Sequence, residues 1–377
     1  MDSFAVDDRK AFVHFRRATE LDPDFVAPQL MMVSVLKRSE SFTQAQEIVD
    51  GLSDQRQSLN PFERIWLDYH TAQLDGDSQR ALAQMRRSIE MAPRSNMIRF
   101  ALAGNLLLCA RPREALEVIS AIDDLGVWAG VGPCNYLFNV KMNAEHALGL
   151  YDAELETARQ ALEVCGNKVY SQINRACAQI GRGEVDLVEN ILNEGLKASD
   201  ARRYSLNLFW GIAREFAAHG HPALSLDVAE RGVDHARDHL DMGEATEWQR
   251  IRYAQLLTML GRLDEADQLL LALNDEIPDD EDILGWLGIV AAQRGDTQAA
   301  MRTSAMLRDL DRPYARGWIG FYRAGIAVHL DHPDEALSLL RDAFSRGFPW
   351  STDLHVSLEL KPLRGHPDFE AILHPEE

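Results

Sequence analysis

In "AFVHFRRATELDP" small or apolar residues stand at Ala11, Phe15 and Ala18, offsets of 0, 4 and 7, and Pro23 follows at offset 12. Those three offsets mark one face of a helix. A proline five residues on ends it, because it lacks a backbone N–H and restricts the residue before it. "ALAQMRRSIEMAP" repeats the pattern at Ala81, Met85, Ser88 and Pro93, and "ADQLLLALNDEIP" at Ala266, Leu270, Leu273 and Pro278. Laid along the chain, the pattern gives ten anchors: Ala11, Ala45, Ala81, Ala115, Glu154, Val188, Ser225, Ala266, Ala300 and Ala336. Successive spacings are 34, 36, 34, 39, 34, 37, 41, 34 and 36 residues, so the chain is built on one recurring unit.

A turn precedes most anchors, as in "LGRLDEA" (260–266), "QRGDTQAA" (293–300) and "LDHPDEA" (330–336), and breaks one helix while capping the next. Upstream of the turn runs a second helical pattern, such as "RIRYAQLLTML" (250–260) or "ILGWLGIVAAQ" (283–293). The unit is helix, turn, helix, loop. Small anchors let two antiparallel helices approach closely, where a larger side chain would wedge them apart.

This pattern resembles the tetratricopeptide repeat (TPR), with its small residue opening the second helix and its closing proline. The match runs from Ala11 to about Gly347, strongest at Ala11, Ala81, Ala266 and Ala300, and weakest at Glu154, Val188 and Ser225. The resemblance implies an all-α, right-handed α-solenoid of antiparallel helix pairs. About nine full units are expected in residues 1–347, preceded by a half unit at the N-terminus and followed by a capping segment at 348–377. Stability is then expected to be close to a sum of local terms, because each unit touches only its neighbours. The closing stretch "RGFPWSTDLHVSLELKPLRGHPDFEAILHPEE" (346–377) offers two short helical pieces separated by "KPLRGHPDF", and resembles the end of TPR arrays in bacterial multidomain sensors and regulators. There such arrays follow a kinase, a cyclase or a winged-helix domain. The half unit at Ala11 has only ten residues before its anchor, too few for a first helix, which leads us to expect an upstream domain or self-association through that end.

TPR proteins hold partners on a concave face lined by the first helix of each unit, and the resemblance implies the same groove here. Fifteen residues before the anchors stand Leu30, Trp66, Phe100, Asn139, Ile173, Trp210, Ile251, Gly285 and Phe321, with Trp248 and Trp318 three residues earlier in their own units. Trp66, Phe100, Trp210, Trp248, Trp318 and Phe321 are therefore the expected partner-binding residues, since aromatic rings dominate interface hot spots. The same rings could instead pack neighbouring units. The family's chaperone-tail clamp needs lysines and asparagines, and Asn139 alone does not make one.

The charge narrows the partner class. Lys and Arg number 39 against 59 Asp and Glu, a net charge of -20 that repels phosphate backbones and anionic lipid, so neither nucleic acid nor membrane is expected. The start "MDSFAVDDRK" has no basic and apolar leader, which points to the cytoplasm. Cys109, Cys134, Cys165 and Cys177 match no zinc or redox spacing and read as reduced packing residues.

Motifs of catalysis are missing: no GxSxG, HExxH, phosphate-binding GxxxxGK[ST] or kinase set occurs, and "GVWAGVG" (126–132) reads as a loop. His235 and His239, with Asp238 and Asp241 nearby, form the best metal candidate, but no third ligand stands at a motif spacing. The acids of "NDEIPDDEDI" (274–283) suit a solvated loop and the N-terminus of the next helix. No cofactor, metal or catalytic residue is expected. The sequence points to a scaffold for a protein or peptide, with a sensor or regulatory half of a bacterial signalling protein as the alternative.

Overall fold

A computed structural model describes residues 2–38, 41–122, 134–241, 243–310, 317–350 and 352–373, and among them every regular element is helical. The glycine-rich stretch 126–132 lies outside the described residues. A single helix, α1 (Asp2–Leu21), is followed by nine helix pairs: α2 (Val26–Arg38) with α3 (Phe42–Asp54), α4 (Pro61–Leu74) with α5 (Ser78–Met91), and α6 (Asn96–Leu108) with α7 (Pro112–Ser120). Next come α8 (Cys134–Ala147) with α9 (Tyr151–Cys165), α10 (Val169–Gly181) with α11 (Val188–Gly195), and α12 (Ala201–Ala218) with α13 (Pro222–His239). The last pairs are α14 (Glu247–Met259) with α15 (Leu263–Glu276), α16 (Glu281–Gln293) with α17 (Thr297–Asp309), and α18 (Trp318–His329) with α19 (Pro333–Ser345).

Each anchor falls in α1 or in the second helix of its pair, and all but Ala11 are buried. The weak anchors Glu154, Val188 and Ser225 keep the register, at 0%, 3% and 3% exposure. Two glycines show why size matters. A Cβ on Gly285 would stand 2.3 Å from the Tyr322 ring, and one on Gly232 would stand 2.8 Å from the Phe209 Cβ. The turns follow the sequence as well: Gly295 takes φ 78, and Asp296 accepts a bond from the Ala299 N–H at 2.9 Å, ending α16 and starting α17.

First helices of neighbouring units pack on one another, as α16 does on α18 and α10 on α12. Neighbouring second helices meet through surface ion pairs instead, such as Arg231 with Glu189 at 2.7 Å and Arg86 with Glu114 at 2.7 Å. Trp210 of α12 even reaches Trp286 of α16, two units on, at 6.1 Å between rings. Such a shortcut exists only on the inside of a curve. The chain is a TPR-like α-solenoid with its first helices facing inward.

Its interior is not continuous. One apolar cluster spans residues 26–144, a second spans 169–373, and a small third of Phe138, Met142, Ala158 and Ala161 lies at α8 and α9. The break coincides with Glu154, where most units place alanine. The C-terminal part forms α20 (Thr352–His355), a 3-10 turn at Lys361–Leu363 and α21 (Pro367–Leu373), so the second helical piece starts inside the expected separator. Leu360, Leu363, Phe369 and Leu373 share a core with α18 and α19, and Arg341 pairs with Asp368.

Candidate functional site

The inner face is where the first helices converge. Of the six aromatic residues expected there, Trp66, Trp210 and Phe321 are 6%, 3% and 5% exposed, while Phe100, Trp248 and Trp318 are half-buried. Trp66 sits among Phe62, Tyr69 and His70, with centroids 5.8 to 6.0 Å away. The Trp210 ring lies against Trp286 and under two guanidinium groups, Arg214 at 5.2 Å and Arg252 at 5.7 Å. Arg252 also lies 5.9 Å from the Trp248 ring, so the two tryptophans share a cation. Phe321 stacks on Phe348 at 4.6 Å, and Trp318 meets the same ring edge-on at 4.9 Å. These last two rings are therefore engaged by the chain's own C-terminal segment.

A polar row on the same helices escaped sequence reading. Lys37 donates to the His70 Nδ1 at 2.9 Å and to Gln73. Gln73 donates to Asn105 at 3.4 Å, and Asn105 donates to the Tyr69 hydroxyl at 3.1 Å. Burial and the neighbouring Lys37 ammonium hold His70 well below the ordinary imidazole range, so it accepts as a neutral ring. Further along, Asn174 donates to Asn139 at 3.4 Å and to the Tyr170 carbonyl at 2.9 Å, and Asn207 donates to the Tyr170 hydroxyl at 3.1 Å. The signal was present: Gln73, Asn105, Asn139, Asn174 and Asn207 recur about once per unit on first helices. Each amide carries both a donor and an acceptor, which suits it to the backbone of an extended chain.

Charge is also sorted by layer. Helices α2, α4, α6, α8, α10, α12, α14, α16 and α18 carry twelve Lys and Arg against seven Asp and Glu, while α1 and the second helices carry fourteen against twenty-nine. Among these helices the acidity belongs to the outer layer.

Where α8, α9 and α12 meet lies a buried ionic cluster. His146 Nδ1 is 2.9 Å from Glu154 Oε2, and its Nε2 is 3.3 Å from Glu215 Oε1, which His219 approaches at 2.9 Å. Glu145 accepts from Thr157 at 3.1 Å and lies 3.6 Å from the Lys141 ammonium. Burial by itself would lower His146, but its bonds to Glu154 and Glu215 outweigh it and raise the imidazole to about 10. Burial pushes Glu154 up, against the His146 bond, to about 7. Burial works the same way on Glu215, yet bonds from His146 and His219 hold it at about 2. Glu154 is thus an anchor whose carboxylate is exchanged for packing and matched by a cation.

The remaining candidates lack ligand geometry. His235 and His239 stack at 4.5 Å, with His239 Nδ1 3.1 Å from the His235 carbonyl and His235 against Phe209. Among the described residues no group of three or more His, Cys, Asp or Glu is arranged to hold a metal ion. No helix of the described residues is long and apolar enough to cross a membrane. Cys109 and Cys177 form no disulfide, whereas Cys165 is disulfide-bonded, which corrects the expectation of four reduced cysteines. Spacing along a chain does not report which thiols packed helices bring together.

No protein-family model matches the chain, and no curated protein matches it. Among solved structures it is similar to a tetratricopeptide repeat protein from Parabacteroides merdae, at 15% identity and a TM-score of 0.38, over 80% of this chain and 98% of that one. It is also similar to the human IFIT1 dimer with m7Gppp-AAAA, at 12% identity and a TM-score of 0.37, over 91% and 81%. These are distant likenesses. The repeat is defined by the helix packing of this chain itself.

Proposed function

We propose that the chain is a scaffold without catalysis of its own, whose inner face holds a peptide segment of a protein partner. The observation that carries this reading is the row of amides at Asn139, Asn174 and Asn207, half-buried and repeated once per unit on successive first helices. A half-exposed amide at each step matches the repeating donors and acceptors of an extended backbone. Phe100, Trp248 and Trp318 supply half-exposed aromatic surface beside it, while Trp66, Trp210 and Phe321 shape the wall from within. The inner layer's excess of Lys and Arg favours a partner segment that carries some acid.

The test is capture of a partner from native lysate by the intact chain and by the Asn139→Ala, Asn174→Ala double variant. Loss of the captured protein with an unchanged helical spectrum supports the reading. Equal capture by both chains, or a bound species removed by nuclease and not by protease, overturns it.

A further inference from the structure

The segment 354–363, "LHVSLELKPL", places Leu354, Val356, Leu358 and Leu360 at alternate positions, a pattern unlike the helical ones before it. Leu354, Val356, Ser357, Glu359, Leu360 and Leu363 are buried, and Leu354, Leu360 and Leu363 share a core with α18, α19, Phe369 and Leu373. α20 packs on α8, and the 3-10 turn at Lys361–Leu363 packs on α18. The His329 ring of α18 bonds to the Leu358 carbonyl. A Cβ on Gly325 of α18 would stand 3.4 Å from the Glu359 Cβ, so the segment lies directly against that helix. Just upstream, the Trp350 N–H donates to the Leu108 carbonyl at the end of α6, at 3.2 Å. The segment holds its own shape through Arg364, which donates to the carbonyls of His355 at 3.0 Å and Ser357 at 3.4 Å. The stretch from Trp350 to Leu363 touches α6, α8 and α18, whose units are far apart, and so crosses the inside of the curve. It is more than a lid on the last unit.

We propose that residues 354–363 are a resident ligand of the inner face, and that the partner working through that face is a short leucine-rich peptide of the same chemistry, which must displace them. This rests on the scaffold reading above and names both its ligand class and its control. A tethered segment competes at a high effective concentration, so a free peptide binds well only when the resident is loosened.

The experiment uses a fluorescein-labelled synthetic peptide of residues 352–365 and the full chain, read by fluorescence anisotropy. Leu360→Ala and Arg364→Ala each loosen the resident, the first by removing a side chain 1% exposed and the second by releasing the two carbonyls. Both variants should bind the peptide at least about tenfold more tightly than the native chain, and a peptide with Leu354→Asp and Leu360→Asp should bind at least about tenfold more weakly. Equal affinity for all three chains, or no binding to folded variants at about 100 µM, overturns the proposal. Hydrogen exchange on the native chain decides independently, even if a variant fails to fold. Residues 352–365 should exchange faster than α18, and protection equal to that of α18 overturns displacement. If the asparagine variants lose their partner while the Leu360→Ala chain holds it no better than the native one, the resident role fails and the scaffold reading stands.

Discussion

Replacing His146 by alanine should be the most damaging single change in the middle of the array, and the damage should depend on pH. His146 stands between two carboxylates that are essentially inaccessible, Glu154 at 0% and Glu215 at 4% exposure. Removing one partner of a buried pair costs about 3–5 kcal/mol, because the charge left behind has no counter-ion. With an imidazole raised to about 10 against an ordinary 6.5, the native ring contributes stability that is full below pH 6.5 and is lost as the pH rises through about 10. Glu154 acts in the same direction. Its folded value of about 7 exceeds the ordinary 4.5, so its contribution is present below pH 4.5 and lost as the pH rises through 7. Glu215, held at about 2, contributes above pH 4.5 and loses this as the pH falls through 2.

In the His146→Ala chain at pH 5 the ring's contribution, which is full below pH 6.5, is missing entirely, so the loss should be about 3–5 kcal/mol. At pH 8 the native ring has already given up part of that contribution, and Glu154 without its cation is pushed higher still and stays protonated, so the loss should be smaller by up to about 2 kcal/mol. Glu154→Ala restores the residue that most units carry at this position and should cost less than about 2 kcal/mol at either pH. Hydrogen exchange of α8, α9 and α12, corrected for the intrinsic rate at each pH, reads the local opening free energy directly. Equal losses at pH 5 and pH 8, or an alanine at 154 as harmful as one at 146, would refute this account of the cluster.

Three further outcomes are expected. Gly347 has φ 87 and a Cβ there would stand 2.4 Å from the Gly76 carbonyl oxygen, whereas Gly365 has φ 83 in open space, so Gly347→Ala should destabilise by at least about 1 kcal/mol more than Gly365→Ala in urea titrations. Alkylation of the unfolded chain without reductant should tag Cys109 and Cys177 and leave Cys165 unmodified until a reductant is added, as read by peptide mass. Along α1 Val13 is 53% exposed and Phe12 and Phe15 are half-buried, so light scattering across a dilution series should show self-association that Phe12→Asp abolishes.

The helix pairs were legible because the constraint that makes them acts at single positions. Two helices crossing closely need a small residue at the crossing, and a unit of near-constant length puts that residue at a near-constant interval; Ala45, Ala115 and Ala336 carry the mark plainly. Glu154 looked like a failure of the pattern and is instead a substitution with a matched cation. No local rule could reveal that, since Glu215 and His219 come from a helix two units away. Trp210 and Phe321 show the limit of reading a face from an offset. The offset places a ring on the inner side of its helix but does not say whether Trp286 or Phe348 already covers it. The amide row was visible in the sequence, yet polar residues on a first helix do not stand out where apolar ones set the register.

The C-terminal segment changes what kind of array this is. An array in which each unit touches only its neighbours has a stability that is nearly a sum of local terms and can open from either end. Here Trp350 is bonded to Leu108, Gly347 is packed on Gly76, and α20 rests on α8, so the last unit is tied to the pairs that begin with α4, α6 and α8. Opening the last unit therefore exposes apolar surface in the middle of the chain, and the energetic cost is shared by residues that a neighbour-only description keeps apart. The stretch that makes this tie, 347–355, runs directly into the one lying across the inner face. Occupying that face and holding the ring of units together are then one act, and a peptide that displaces residues 354–363 must also loosen contacts between units that are far apart in sequence.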